Sequence, residues 1–567
     1  MFSCCLATLL LLHLSLIQVT QMRTIVVFTV ALLAAAAQSQ SIVANTVYGA
    51  VSGVMDQGVY SFRGVPYAQP PLGNLRFAPP KEVSSWNGTL NASTFAPGCL
   101  ARCAPFAFPK PDIMCTPTTS EDCLYLNVYT PTLNNSANLP VIMFMHGGNY
   151  IGGSGGVPLY DGSDLARNQN VVVVTINYRL GLIGGLFTGT VRGNFQTMDQ
   201  RQSMIWINKA ISAFGGNPNL VTITGQSAGA TSVAVHLSSP KSWPYFQRGI
   251  SMSNPFSIMV SQPEMAIKLG QKALAQLGCP VGGDEELACL RAANATVLQE
   301  LAEHVNYSPL PSQILAMMMP WTPVIDGDEL PYRPQDAITT GNINKVPVFY
   351  GTVANESVEF IYDITTKPID MIEYDLLLDL LFGSDDAKKI KKFYGPLPAK
   401  YWSDAHDWIS VMATDYIFYC VNRKMGTYMT KVTDTFMYLF DQVGSWNEWV
   451  FGGLMPWCVN TVCHAADIPF VFNPFKSPTI PGNISDVPMP TERELDLIHF
   501  MQTAWGNFAR TGNPNIGTPL PNATGVSFPI FNGTKNILVN ESIPVGILDG
   551  YRNDVCDFWD TIGYIRY

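Results

Sequence analysis

The sequence predicts an α/β fold with a large, mostly parallel β-sheet. Apolar runs at residues 141–145, 171–177 and 221–224 alternate with helix-capable stretches, an order typical of a parallel sheet flanked by helices. The chain has 567 residues, and no repeat, low-complexity tract or long Pro, Gly or Ser linker divides it. We therefore expect residues 40–567 to form one large domain that follows a leader at residues 1–39.

The other elements are expected in chain order around this sheet. Earlier strands are predicted near residues 59–62 and 124–129, and the helical pattern of residues 199–214 ends at Gly215. The segment 257–319 is helix-rich, and we expect it to form part of a lid or of a gorge wall. Its methionines suit either a flexible apolar pocket or the filling of a core: Met317, Met318 and Met319.

A G-x-S-x-G motif occupies residues 225–229, directly after the third apolar run and before the helix-capable residues 230–237. Its glycines leave room for a sharp turn from strand to helix, which holds the hydroxyl of Ser227 above the edge of the sheet. The same five letters also occur in ordinary glycine-rich loops. The strand before the motif and the helix after it favour a nucleophile elbow.

The order of residues in hydrolases built on such an elbow predicts the partners of the serine, because the acid and then the histidine follow it along the chain. The acid should leave the strand predicted at residues 346–351. The first carboxylate after that strand is Glu356. Glu359 is the rival, although its position is more typical of a charge on a helix face.

Elimination among the seven histidines leaves His464, which lies on a polar loop that runs into an apolar segment. Each of the others has an interpretation without a catalytic role. His13 lies in the leader, His146 too early in the chain, and His236 on the helix behind the serine. His304 precedes the acid, His406 lies on a surface beside Asp404 and Asp407, and His499 lies within a helical pattern.

Seven short motifs occur in order along the chain: GVPYA at 64–68, LRF at 75–77, EDCLYLNVY at 121–129, NYR at 177–179, DQR at 199–201, FGGNP at 214–218, and Trp505 with FARTGNP at 508–514. On these motifs the chain resembles a type B carboxylesterase, the family that also contains the cholinesterases, from about Thr46 to its last residues. The resemblance implies an α/β-hydrolase fold, a large mostly parallel sheet flanked by helices with inserted lid or gorge segments. It also implies Ser227 as nucleophile, Glu356 as acid and His464 as base.

An oxyanion hole is predicted from the residues that follow the strand 141–145. Charge builds on the carbonyl oxygen during attack by a serine and needs donors that are already in place. His146 is followed by Gly147, Gly148 and Asn149, which resemble the family's oxyanion loop, and the NH of Ala228 supplies the other side. The family usually has a third glycine where Asn149 stands, but asparagine keeps its NH and tolerates unusual backbone angles.

Two departures from the cholinesterases bear on the substrate. Ile113 stands where those enzymes place a tryptophan that binds a quaternary ammonium group, and Gln226 stands where they carry a glutamate. Both changes remove attraction for a cation. We therefore expect a serine hydrolase of uncharged, short- to medium-chain or aryl carboxylic esters.

Other functions share much of this pattern. A stored, structural or adhesion role can coexist with activity. Relatives with such roles can lack a residue of the triad, whereas this chain has Ser227, Glu356 and His464. A peptidase or a thioesterase would share the acyl-enzyme mechanism and differ only in the leaving group.

The cysteines fit an exported chain. Outside Cys4 and Cys5 they form an even set of ten, and the resemblance suggests Cys99 with Cys123, Cys279 with Cys289, and Cys420 with Cys556. Cys103 with Cys115 and Cys458 with Cys463 are then plausible extra pairs. A metal site formed by Cys458, Cys463 and His464 is disfavoured because the spacing fits neither zinc nor haem, so neither metal nor cofactor is expected.

Residues 22–39 have the charged start, apolar centre and small residues of a signal peptide, so either Met22 is the start or the apolar residues 1–21 act with them as one leader. The chain shows no apolar tail for a lipid anchor and no retention tetrapeptide. We expect a secreted protein or one in the lumen of a secretory vesicle, with no stable membrane anchor; a homodimer is left open. A net charge of −10 disfavours nucleic acid as a partner. Asn355 heads a sequon beside the expected acid and should carry no glycan, unlike the other acceptors: Asn87, Asn91, Asn134, Asn294, Asn306, Asn483, Asn522, Asn532 and Asn540.

Overall fold

The computed structural model describes residues 42–103, 110–258, 260–304, 319–481, 486–521, 525–540 and 546–564. Residues 1–43 form a unit of their own, of which only Ile42 and Val43 are described. Residues 44–567 form the second unit, which contains the sheet and the candidate site.

The second unit is built on a large mixed sheet whose central strands are parallel. The strand order is β1-β2-β3-β7-β9-β8-β10-β11-β12-β13-β14-β15, with β4 beside β2. All neighbours from β9 to β14 in this order are parallel. The pairs β2–β3, β3–β7, β7–β9 and β14–β15 are antiparallel, and β4 is parallel to β2. The strands are β1 (Ile42–Thr46), β2 (Gly49–Asp56), β3 (Val59–Pro66), β4 (Thr89–Asn91), β5 (Gly98–Cys99), β6 (Thr119–Ser120), β7 (Tyr125–Thr130), β8 (Leu139–Met145), β9 (Val172–Ile176), β10 (Gly216–Gln226), β11 (Arg248–Met252), β12 (Val348–Val353), β13 (Thr435–Phe440), β14 (Lys535–Val539) and β15 (Gly546–Asp549).

Helices alternate with these strands along the chain. They are α1 (Pro111–Met114), α2 (Ser163–Gln169), α3 (Gly181–Gly185), α4 (Phe195–Ala210), α5 (Ala228–Ser238), α6 (Pro263–Leu277), α7 (Gly283–Ala292), α8 (Ala295–His304), α9 (Pro334–Thr340), α10 (Val358–Ile364), α11 (Met371–Phe382), α12 (Ser384–Tyr394), α13 (His406–Ala413), α14 (Cys420–Met429), α15 (Asn447–Phe451), α16 (Ile468–Phe472), α17 (Glu492–Thr511) and α18 (Asn553–Ile562). The predicted α/β class and its parallel core are therefore confirmed.

The main apolar core lies between the sheet and helix α17. Phe349 of β12 packs against Trp505 of α17 with their ring centroids 4.9 Å apart, and both side chains are fully buried. Alternate residues of β8, Ile142 and Phe144, point into the same cluster. This packing buries the central strands, and the loops that leave their carboxyl ends carry the candidate site.

All three disulfides implied by the resemblance are present, as are the two further pairs. Cys420–Cys556 closes the longest loop, with a sequence separation of 136, and Cys458–Cys463 closes the shortest, with a separation of 5. The others are Cys99–Cys123, Cys103–Cys115 and Cys279–Cys289. In the part of the chain that the structure describes, no helix has the length and apolar character needed to cross a membrane.

Candidate active site

Ser227 lies at a sharp turn between β10 and α5. Its φ of 59° and ψ of −123° are unusual for a residue with a side chain, so the turn is strained. A Cβ on Gly229 would overlap the carbonyl oxygen of Met145, and a Cβ on Gly225 would overlap the backbone of Gly229. The two glycines of the motif therefore permit the helix to approach the sheet this closely, as expected of a nucleophile elbow.

Glu356 and His464 are hydrogen-bonded to each other beside this turn. Glu356 lies between β12 and α10, and its Oε2 accepts a hydrogen bond from His464 Nδ1 at 2.6 Å. Its Oε1 accepts one from the NH of Val353 at 2.8 Å. The side chains of Glu356 and His464 are 0% and 5% exposed, so little water competes for this contact.

One backbone hydrogen bond and one disulfide hold the loops that carry Glu356 and His464. The NH of Asn355 donates to the carbonyl of Val462 at 3.2 Å, which joins the loop of Glu356 to the loop of His464. The Cys458–Cys463 disulfide ends directly before His464. The orientation of the imidazole is therefore set by the fold as well as by Glu356.

The imidazole of His464 is packed between two aromatic rings and surrounded by carboxyl groups. The rings of Phe360 and Phe418 lie with their centroids 5.1 and 5.2 Å from that of the imidazole. Burial lowers the pKa of His464, but the hydrogen bond and charge of Glu356, together with the charges of Glu359 and Asp467, raise it above its usual value of 6.5. The surrounding carboxyl groups thus favour the positively charged form of the imidazole.

The other ring nitrogen of His464 is engaged by Gln226. The amide Nε2 of Gln226 lies 2.9 Å from His464 Nε2, and Gln226 is 3% exposed. Within the described residues the hydroxyl of Ser227 makes no hydrogen bond, although Ser227, Gln226 and His464 line the same cavity. Sequence reasoning treated Gln226 only as a lost negative charge and missed this contact.

The loop after β8 presents free backbone NH groups to the same cavity. Gly148 has a φ of 105° and Asn149 a φ of 55°, so the loop turns through the left-handed region with an asparagine where such angles are tolerated. The carbonyl of Gly148 accepts from Ile151 and Gly152 at 2.9 Å, and these bonds hold the turn. Among the described residues, the NH groups of Gly148 and Asn149 make no hydrogen bond, and that of Ala228, the first residue of α5, has no partner within the helix.

A cavity of about 130 Å³ opens beside Ser227. Ile113 and Met114, from the loop closed by Cys99–Cys123, form one wall. Aromatic and aliphatic side chains form most of the remainder: Leu159, Tyr160, Phe360, Trp446, Val450, Phe451, Pro469, Pro474 and Phe475. The cavity therefore suits an apolar group bonded to the reacting carbonyl.

Glu359 and Asp363 bring two carboxyl groups to this otherwise apolar cavity. They are four residues apart on α10, and burial raises the pKa of Glu359 to about 8 and that of Asp363 to about 6. The carboxyl group of Glu359 is thus mostly protonated at neutral pH. Glu359 lies on a helix face, as expected, but this face of α10 is turned toward the cavity.

The remaining histidines with described positions lie outside the cavity. His146 and His236 are buried in the core, and burial lowers their pKa values to about 4 and about 3. His406 was interpreted as a solvated surface residue, but its side chain is buried, bonded to Asp404 and stacked on Tyr362. His304 ends α8 and His499 lies exposed on α17, whereas His13 lies outside the described residues.

The described residues of the segment 257–319 do not have the role expected of the segment. None of its described residues lines the cavity, including Met319, which is buried elsewhere, and Met317 and Met318 lie outside the described residues. The walls come instead from the Cys99–Cys123 loop, α10 and residues 446–475. In the described ranges, no group of three or more His, Cys, Asp or Glu side chains converges as metal ligands would.

Comparison with known proteins shows which family the chain belongs to. A model of the carboxylesterase family matches residues 40–559. The chain is 32% identical over 526 residues to the cAMP-regulated D2 protein of Dictyostelium discoideum, covering 92% of each chain. It is 32% identical over 488 residues to para-nitrobenzyl esterase of Bacillus subtilis strain 168, covering 83% of this chain and 90% of that one. A solved structure of PNB esterase matches with a TM-score of 0.73 and 29% identity, covering 92% of this chain and all of the other. The chain therefore belongs to the carboxylesterase family, as a hydrolase of the serine carboxylesterase type.

Proposed function

We propose that this protein hydrolyses uncharged carboxylic esters through an acyl-enzyme on Ser227, with His464 as the base and Glu356 as the acid. The observation that carries the proposal is the 2.6 Å hydrogen bond between buried Glu356 and His464, in the cavity that Ser227 also lines. These three residue types divide the work of nucleophilic catalysis between an attacking hydroxyl, a proton carrier and a group that orients the carrier.

The reaction would proceed in two balanced halves. Ser227 Oγ bonds to the carbonyl carbon as its proton passes to His464 Nε2, and the imidazolium then returns that proton to the departing alkoxide. Water repeats the sequence on the acyl-serine and releases the acid. The NH groups of Gly147, Gly148, Asn149 and Ala228 are the proposed donors to the negative oxygen, and each such donor contributes roughly 3 kcal/mol to the transition state.

The cavity supports small uncharged substrates. Its volume of about 130 Å³ is close to that of an engineered apolar cavity, about 150 Å³, that holds benzene, so an aryl group or a short acyl chain fits. The wall that a cation-binding tryptophan would occupy by resemblance is formed by Ile113. Glu359, mostly protonated at neutral pH, adds little attraction for a cation there.

Hydrolysis of p-nitrophenyl esters from acetate to decanoate by the purified protein tests the reaction and the acyl length. We expect activity to be highest for short acyl groups and to disappear in Ser227→Ala. Full activity in Ser227→Ala would refute the nucleophile. For the charge preference, we expect 3,3-dimethylbutyl acetate to be hydrolysed with a higher kcat/KM than acetylcholine, which has the same shape and a positive charge. The reverse preference would refute the choice of uncharged esters.

We also propose that residues 1–39 are removed as a leader, and that residues 40–567 form one catalytic domain that is exported as a glycoprotein. The five disulfides support an oxidising compartment. Sequon asparagines that are exposed support glycosylation at Asn87, Asn91, Asn134, Asn294 and Asn532; Asn540 is half-buried, and Asn306, Asn483 and Asn522 lie outside the described residues. Amino-terminal sequencing and glycopeptide mapping of the secreted chain test this, and retention of Met1 would refute the leader.

A further inference from the structure

We propose that Gln226 is a positioning residue that selects the protonation state of the proposed base: its side-chain amide donates to His464 Nε2 and so keeps the imidazole neutral, with its proton on Nδ1. This inference rests on the proposed function, in which His464 takes the proton of Ser227. It adds a residue that lies outside the three that the sequence identified.

The contact constrains the tautomer directly. An amide nitrogen can only donate hydrogen bonds, so a ring nitrogen 2.9 Å from Gln226 Nε2 must offer a lone pair. The other ring nitrogen then carries the proton, and it lies 2.6 Å from the carboxylate of Glu356, which can only accept. The two partners therefore require the same tautomer, the one whose Nε2 lone pair takes the proton in the proposed reaction, where Ser227 replaces Gln226 as the donor to Nε2.

The carboxamide of Gln226 is also enclosed at its other end. A Cβ placed on Gly147 would lie 2.8 Å from Gln226 Oε1, so the carboxamide is wedged between the imidazole and the first glycine of the oxyanion loop. Gln226 is the last residue of β10, directly before Ser227, so its backbone is held by the central sheet. A residue fixed in this way can orient the imidazole from the side opposite Glu356.

The expected consequence is a lower affinity of His464 for protons. A hydrogen bond to the neutral form of a base disfavours its charged form. The carboxyl groups that face the imidazole act in the opposite direction: Glu356 from the loop after β12, Glu359 from α10, and Asp467 directly before α16. At neutral pH, where Glu359 is mostly protonated, Gln226 thus offsets the charges of Glu356 and Asp467 and keeps part of the base available.

Two substitutions separate this role from simple packing. Gln226→Glu keeps the shape but replaces the donor with an acceptor that stabilises the imidazolium, and Gln226→Met keeps the length but removes the hydrogen bond. We expect the acidic limb of the kcat/KM profile to move to higher pH by at least about one unit in Gln226→Glu and by about half a unit in Gln226→Met. At high pH the rate of Gln226→Glu should approach that of the unsubstituted protein.

The experiment measures kcat/KM for p-nitrophenyl acetate from pH 5 to pH 10 in all three proteins, with thermal unfolding as a check on folding. Suppose that the unsubstituted protein hydrolyses the ester, but the acidic limb of the kcat/KM profile stays in place or moves to lower pH in both variants. The inference is then refuted, while the proposed function stands. If the unsubstituted protein is inactive, the proposed function fails. In that case ¹⁵N spectra of histidine-labelled protein still report the tautomer of His464, assigned with His464→Gln, and a proton on Nε2 would refute the inference independently.

Discussion

Replacing Glu356 with glutamine should inactivate the site with little change in its shape. The carboxylate faces a buried imidazole across 2.6 Å, and unit charges about 4 Å apart interact by about 4 kcal/mol at the effective dielectric of protein sites. Loss of that interaction with the imidazolium corresponds to roughly a thousandfold in rate. Val353 adds a second effect. Its NH donates to Oε1 of Glu356, and in the variant the same NH would hold the amide oxygen of the glutamine at that position.

The glutamine would then turn its NH₂ group toward His464 Nδ1. That nitrogen would have to accept, so the proton would move to Nε2 and the base would lose the lone pair that it uses. We expect kcat for p-nitrophenyl acetate to fall by about 10³- to 10⁴-fold, with KM nearly unchanged. Glu359→Gln is the matched control, because Glu359 lines the same cavity without a hydrogen bond to His464, and it should cost less than about tenfold. A loss below tenfold in Glu356→Gln, or an equal loss in both variants, would refute the assignment of the acid.

Three further predictions follow from the same contacts. The kcat/KM profile should fall on its acidic side with a midpoint above 6.5, because the pKa of His464 is raised and only its neutral form accepts a proton; a midpoint at 6 would contradict this. Replacing both Cys458 and Cys463 with serine should lower the free energy of unfolding by about 2 kcal/mol. It should also lower kcat by about ten- to a hundredfold, because the disulfide ends beside His464. An unchanged kcat in kinetic assays would show that the disulfide does not position the imidazole. Gly229→Ala should destabilise the protein by about 1–3 kcal/mol, because the new Cβ overlaps the backbone at the elbow. Gly453→Ala is the control: its Cβ meets open space, so it should change the stability by less than about 0.5 kcal/mol. Equal denaturation midpoints of the two variants would contradict the overlap at the elbow.

The fold class could be predicted because its signals are local in sequence. The runs at 141–145, 171–177 and 221–224 became β8, β9 and β10 with boundaries shifted by a few residues, and the pattern at 199–214 became α4 followed by a 3₁₀ turn. Alternation of apolar strands and helices is sufficient for such a prediction because each run must be buried on both faces of a parallel sheet. The strand order could not be predicted, because it depends on which loops cross the sheet.

Part of the cavity could be predicted from residue order and family resemblance, and part could not. Ser227, Glu356 and His464 were singled out by order along the chain, and the structure brings the acid and the histidine into contact and the serine to the same cavity. The contact of Gln226 with His464 joins residues 238 positions apart and depends on the side-chain direction at the end of a strand, which no periodicity encodes.

The cavity walls were the least predictable feature. A helix-rich insertion looks like a lid in sequence, but whether its apolar face packs on the core or on the cavity depends on tertiary contacts, and the described residues of 257–319 pack elsewhere. The position of Glu359 could have predicted one part of the wall. Glu359 follows Glu356 by three residues, so the first turn of α10 had to start at the edge of the cavity.

The most direct test of the account is to trap the acyl-enzyme. The protein is mixed briefly with p-nitrophenyl acetate, quenched in acid and digested, and the acetylated peptide is identified by mass spectrometry. We expect a burst of p-nitrophenol equal to the concentration of active sites and acetyl on Ser227, with neither in Ser227→Ala. Acetyl on another residue, or the same burst from Ser227→Ala, would contradict it.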